Sequence, residues 1–167
     1  MSDFNSLTAS ELGDMIGQSK IDPIELTEHF LSQIELSSVG KKIYSTVTSQ
    51  LALEQAKASK GRANSGRRLS SLDGVPISWK DLFDIEGYPC EAGSELLAGR
   101  LANRNCEVYN FAEAQGLICL GKTHMSELAF SGLGLNPVRE TPPCVNYPES
   151  VPGGSSSGAA TSVSFGL

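Results

Sequence analysis

The sequence predicts an α/β chain. Three observations carry this. Apolar residues of the first third recur at helical spacing behind two helix starts. A compact apolar segment, Val75–Trp79, ends at Lys80. A strand–helix–strand order then runs through the middle of the chain.

In chain order, Thr8-Ala9-Ser10-Glu11 fits a capping box, with Leu12, Met15 and Ile16 at helical spacing behind it. Asp22-Pro23-Ile24-Glu25 is a second start, with Asp22 as N-cap and Pro23 at the first helical position. Leu26, Phe30 and Ile34 form its apolar stripe, with Leu31 beside it. The β-branched run Ile43–Thr48 reads as a short strand, and Leu51–Lys60 as a polar, Ala-rich helix. Gly61–Asp73 is basic and Gly/Ser-rich, which predicts an exposed loop. Val75–Trp79 then reads as a strand delivering Lys80 at its C-terminal end. Glu107–Gln115 carries Val108, Phe111 and Ala112 at helical spacing, with Gly116 as a stop. Leu117–Leu120 is a buried strand, from which Gly121-Lys122-Thr123 leads away, and Met125–Phe130 starts a helical turn. Together these predict a parallel βαβ unit. Ser131–Pro152 holds five prolines and two glycines, so it is irregular, and a loop of that length is commonly functional. Ala159–Leu167 reads as an inward-facing helix of small residues.

Thirteen Lys and Arg against nineteen Asp and Glu give a net charge of −6, which disfavours nucleic acid and anionic membrane as partners. A 40% hydrophobic, 19% charged composition is that of a globular chain. No apolar stretch approaches the ~20 residues of a membrane span. The polar start Met1–Phe4 has neither a basic nor an apolar region of a signal peptide, so a cytoplasmic location is expected. Cys90, Cys106, Cys119 and Cys144 show no metal-ligand spacing and are read as reduced structural thiols. His29 and His124 do not suggest a metal site, and no cofactor is expected.

Gly116–Thr123 matches the phosphate-binding pattern G-x-x-x-x-G-K-[ST] letter for letter. Its four middle residues are apolar and form the strand itself, whereas a phosphate cradle needs a loop of free backbone N–H groups. A nucleotide site is therefore rejected. Lys122 is read as a solvated or structural charge, and Asp81 as an anchor of the strand end.

The chemical candidates are Lys80 and the turn Gly153-Gly154-Ser155-Ser156-Ser157-Gly158. The chain is rich in Ser (23) and Gly (17), and this turn is made of nothing else. Alone, the turn looks like a flexible linker, and its serines have no nearby His to make a conventional triad. In context, Leu72–Asp81 resembles the lysine-bearing strand of the amidase signature family. Gly121–Phe130 resembles the family's following segment. Asn136-Pro137 and Val151–Ser156 resemble its Pro-Gly-Gly-Ser-Ser turn, and even the N-terminal helices are similar.

The resemblance implies a mixed sheet flanked by helices and preceded by N-terminal helices. It implies hydrolysis or transfer at an amide C–N bond by a Ser–cis-Ser–Lys triad. Lys80 falls on the catalytic lysine and Ser155 on the cis-serine. Leu128, Ala129, Phe130 and Ser131 fall where substrate is bound. The acylated serine would lie beyond residue 167, so residues 1–167 read as the N-terminal part of a single amidase-like domain. The expected partners are a small-molecule amide and the remaining part of the same enzyme or a companion chain, with self-association left open. An amidotransferase A-subunit-like protein and a truncated, non-catalytic interaction module are the alternatives. One departure stands out: Ser157 replaces a glycine of the family's turn.

Overall fold

The computed structural model describes residues 4–167; Met1–Asp3, the first part of the polar start, lie outside the described residues. Helix α1 spans Ala9–Gly17. Thr8 Oγ1 accepts from the Glu11 N–H (3.3 Å) while a Glu11 carboxylate oxygen accepts from the Thr8 N–H (2.7 Å), which closes the capping box. Helix α2 spans Pro23–Leu36, with Asp22 capping the Ile24 N–H at 2.9 Å. The short α3, Gly40–Ile43, leads into strand β1, Tyr44–Val47. Helix α4 spans Ser49–Asn64 and buries Ala52, Ala56 and Ser59. Strand β2 is Pro76–Lys80, helix α5 Glu107–Ala114, strand β3 Ile118–Thr123 and helix α6 Ser157–Phe165.

The strands form a mixed sheet in the order β1-β3-β2, with β2 parallel and β1 antiparallel to β3. The βαβ unit is therefore β2-α5-β3. All six residues of β3 are buried. Ile118 packs with Ala52 and Ala56, Leu120 with Ile34, Ile43 and Tyr44, and Cys119 with Trp79, Ile85 and Tyr109. At ~1.5–3 kcal/mol per large apolar side chain removed from water, this strand is the backbone of the core.

Four expectations are corrected. Gly61–Asp73 is not wholly an exposed loop: α4 runs through Gly61 to Asn64, and Asp73 is fully buried against Arg62. Gly121–Thr123 do not leave the strand but complete it. Of the two readings of Lys122, the solvated one falls and the structural one holds: it is fully buried and paired with Asp81 at 2.7 Å. On α5 the helix is where the spacing puts it, but Val108 and Phe111 are exposed, and Tyr109 enters the core against Trp79. An aromatic with a polar tip fits there because Gln55 donates to its hydroxyl at 3.1 Å.

Both glycines of the rejected phosphate pattern have packing reasons. Gly116 has φ +84° at the helix stop, and a Cβ there would lie 2.4 Å from Asp73 Oδ1. Gly121 lets β1 approach β3, since a Cβ would lie 2.3 Å from Thr46 O.

Asp73 ties the chain leaving α4 to the start of β2. Arg62 donates to both of its oxygens at 2.7 Å, and the Leu69 N–H donates at 2.9 Å. Burial opposes ionisation of Asp73, but these donors override it and hold the carboxyl below the usual range. Replacing Asp73 by Asn is expected to lower unfolding free energy by ~1–3 kcal/mol, measured by urea denaturation, because it leaves the half-buried Arg62 guanidinium without its counter-charge and breaks the donors converging on a buried group.

Candidate active site

Alternation along β2 sends Trp79 into the core and Lys80 to the opposite face, at the strand's C-terminal end beside Thr123 of β3. There the Lys80 Nζ lies 2.6 Å from Ser155 Oγ. Both residues are half-buried. Burial moves the Lys80 amine below the ordinary lysine value, because desolvation disfavours the ammonium form.

Ser155 is held by a backbone frame. The Gly154–Ser155 peptide bond is cis, and Gly153 has φ +78°. Gly153 N–H donates to Leu133 O (3.1 Å), Gly154 N–H to Gly132 O (2.9 Å), and Ser126 N–H to Ser155 O (3.1 Å). A Cβ on Gly154 would lie 2.7 Å from Gly134 backbone atoms, so the two segments touch main chain to main chain. Helix α6 begins two residues later and is pressed onto the end of β3: Gly158 N–H donates to His124 O at 2.9 Å. Ser157, the residue that departs from the family's turn, opens this helix fully buried, and its Oγ has no hydrogen-bond partner among the described residues.

The four positions read as substrate-facing begin two residues after Ser126. Leu128 and Ala129 have φ +48° and +59°, in a short 3₁₀ turn at Glu127–Ala129 rather than an α-helix. Leu128 is tied by its N–H to Ala92 O at 2.9 Å. Phe130 is 94% exposed. Phe130 and Ser131 line an open hollow with Glu127, Leu135, Pro137 and Thr141. The structure thus brings Lys80 and Ser155 into contact and sets residues 128–131 on the loop that frames Ser155.

Sequence reading gave no structural role to three residues that build this region. The Asn136 amide donates to Gly93 O and Met125 O at 2.8 Å, and its oxygen accepts from Val138 N–H and Arg139 N–H, so a buried side chain pins the long loop. Arg139 pairs with Glu91 at 2.9 Å and with Glu95. His124 is buried, and Asp81, Glu91 and Arg139 line the same small cavity.

The profile of the Amidase family matches residues 25–167. The chain belongs to that family. It is 35% identical over its whole length to the A-subunit of the glutamyl-tRNA(Gln) amidotransferase of Acinetobacter baylyi, of which it covers 34%. It is 37% identical over 93% of its length to the A-subunit of the same name from Anaeromyxobacter dehalogenans, of which it covers 32%. Among solved structures it resembles a bacterial aryl acylamidase (27% identity, TM-score 0.84, 93% of this chain and 33% of that one). The peptide amidase of Stenotrophomonas maltophilia shares the fold (23% identity, TM-score 0.86, 96% and 34%). The amidase-family chain spans about a third of the length of these relatives.

Burial also holds His124 below the ordinary imidazole value, against the opposing pull of Asp81 and Glu140. The unfolded chain then binds this proton first as pH falls. Stability is full above pH ~6.5 and is lost as pH drops through the lower folded value. Thermal unfolding scanned between pH 7 and 4 is expected to show this loss, and His124→Gln to flatten it.

Proposed function

We propose that this chain supplies the lysine and the cis-serine of an amide C–N hydrolase. The observation that carries the reading is the 2.6 Å contact between Lys80 and Ser155. Family membership supports amide chemistry, and the lowered basicity of Lys80 supports a neutral amine able to accept a proton.

In this reading neutral Lys80 takes the Ser155 hydroxyl proton. Ser155 takes the proton of a nucleophilic serine supplied from beyond residue 167, by the remaining part of the fold or a companion chain. That serine adds to the amide carbonyl. The tetrahedral intermediate collapses to an acyl-enzyme as the leaving amine receives the relayed proton through Ser155. Water attacks by the reverse relay, releases the acid and restores the serine. Residues Leu128–Ser131 form one wall of the substrate site. The carbonyl oxyanion is met by backbone N–H groups of the nucleophile's turn. The compartment is cytoplasmic; among the described residues no helix is long and apolar enough to cross a membrane.

A second reading is favoured by the names of the relatives at 34–37% identity: an amidotransferase A-subunit, in which the released ammonia passes to an acceptor on a partner chain. Glutaminase activity that rises on adding such a partner distinguishes it from a free-standing amidase.

Both readings make the same demand of the assembled enzyme. Lys80→Ala and Ser155→Ala are each expected to lower kcat at least a hundredfold in a steady-state ammonia-release assay. A loss below tenfold, ~1.4 kcal/mol of barrier, would count against the relay.

A further inference from the structure

Next to Lys80 in the chain, just past the end of β2, stands the buried carboxylate of Asp81. Such a group beside a base works against it, because a nearby negative charge favours the ammonium form. The structure places a second lysine on that carboxylate. Lys122 of β3 is fully buried, and its Nζ lies 2.7 Å from Asp81 Oδ1 and donates to Pro89 O at 2.6 Å. Asp81 in turn accepts from the Glu91 N–H at 3.2 Å through its side chain and from the Ala92 N–H at 2.9 Å through its carbonyl. Ala92 carries the Leu128 N–H, and Gly93 carries the Asn136 amide.

We propose that Lys122 is a positioning residue for the Lys80–Ser155 pair: its ion pair with Asp81 cancels the buried carboxylate beside Lys80 and locks the end of β2 to the loops that frame Ser155. The two lysines then have opposite tasks on neighbouring strands. Lys122 stays charged so that Lys80 can be neutral. The contact pattern agrees. Lys122 reaches a carboxylate and a carbonyl, both acceptors suited to an ammonium. Among the described residues, Lys80 reaches only a hydroxyl that can either donate or accept.

Other charged or titratable groups around the pair are accounted for. Asp84 is engaged bidentately by Arg100, at 2.7 and 2.9 Å. Glu91 is engaged by Arg139. Burial raises the Cys90 and Cys119 thiols and lowers His124, so these three are neutral near neutral pH. Glu127 accepts from Ser94 Oγ on the loop side.

This inference rests on Lys80 being the base, but its test needs no turnover. The side-chain Nζ resonance of Lys80 is followed by ¹H–¹⁵N and ¹³Cε NMR through a pH titration of the whole chain. Lys122→Met strips the counter-charge from Asp81 and is expected to raise the Lys80 midpoint by about one pH unit or more. Asp81→Asn leaves Lys122 unpaired and is expected to lower it. Lys122→Arg is expected to return it close to the unmodified value. Opposite shifts from the two single variants are the signature of charge, because loosened packing would expose Lys80 and raise the midpoint in both. Shifts of the same sign, or none, overturn the proposal. The double variant Asp81→Asn/Lys122→Met removes both charges and guards against misfolding. Its Lys80 midpoint is expected to lie between those of the single variants, and a midpoint as high as that of Lys122→Met alone would also overturn the proposal. A positive outcome with no effect of Lys80→Ala on amide turnover would separate this inference from the catalytic reading.

Discussion

The hydrogen bond between Lys80 and Ser155 joins positions 75 residues apart in sequence, and much of the fold serves it. One partner needs a strand end that does not move. The other needs a turn whose backbone is fixed without side chains to hold it. β3 answers the first need. It is buried along its whole length, pairs with β2 up to Lys80 and Thr123, and is clamped by α2, α4 and α5 through Ile118, Cys119 and Leu120. The frame of residues 126–134 answers the second need, with Gly153 and Gly154 lying against it main chain to main chain. β3 and this frame are continuous through His124 and Met125, so the sheet core and the serine turn share one rigid segment.

Electrostatics follows from that geometry. A lysine that works as a base must lose its charge, and the means available are burial and the absence of a nearby anion. The half-buried setting of Lys80 supplies the first. In the proposed reading the pairing of Asp81 with Lys122 supplies the second at the cost of burying two charges, and the backbone partners of each, the Glu91 N–H on Asp81 and Pro89 O on Lys122, keep such a pair tolerable. The remaining acids near the site, Asp84, Glu91 and Glu95, are each held by an arginine on the outer side of the loops.

Most elements could be read from sequence, for local reasons. Thr8 with Glu11, and Asp22 with Pro23, are short-range devices whose partners lie within one turn, so the chain states them openly. Lys80 and Ser155 were legible through the order and spacing of several segments together. The exposed face of α5 and the burial of Lys122 were not. Val108 and Phe111 carry the spacing of a core face, but which face meets the core depends on where Trp79 and Gln55 lie, and that is a long-range fact. Lys122 sits in an apolar strand, and only Asp81, 41 positions earlier by sequence number, explains its charge. Asn136 was noticed within a motif, while its role in pinning the long loop became visible only with Gly93 and Met125 beside it.

The central claim is that the contact between Lys80 and Ser155 is one of base to hydroxyl and not of ammonium to hydroxyl. Neutron diffraction from deuterium-exchanged crystals, grown just below the ordinary lysine range of about 10.4, locates the exchangeable nuclei directly. The account predicts two deuterons on Lys80 Nζ, with the Ser155 hydroxyl deuteron directed at the nitrogen. Three deuterons on Lys80 Nζ, one of them pointing at Ser155 Oγ, would contradict it.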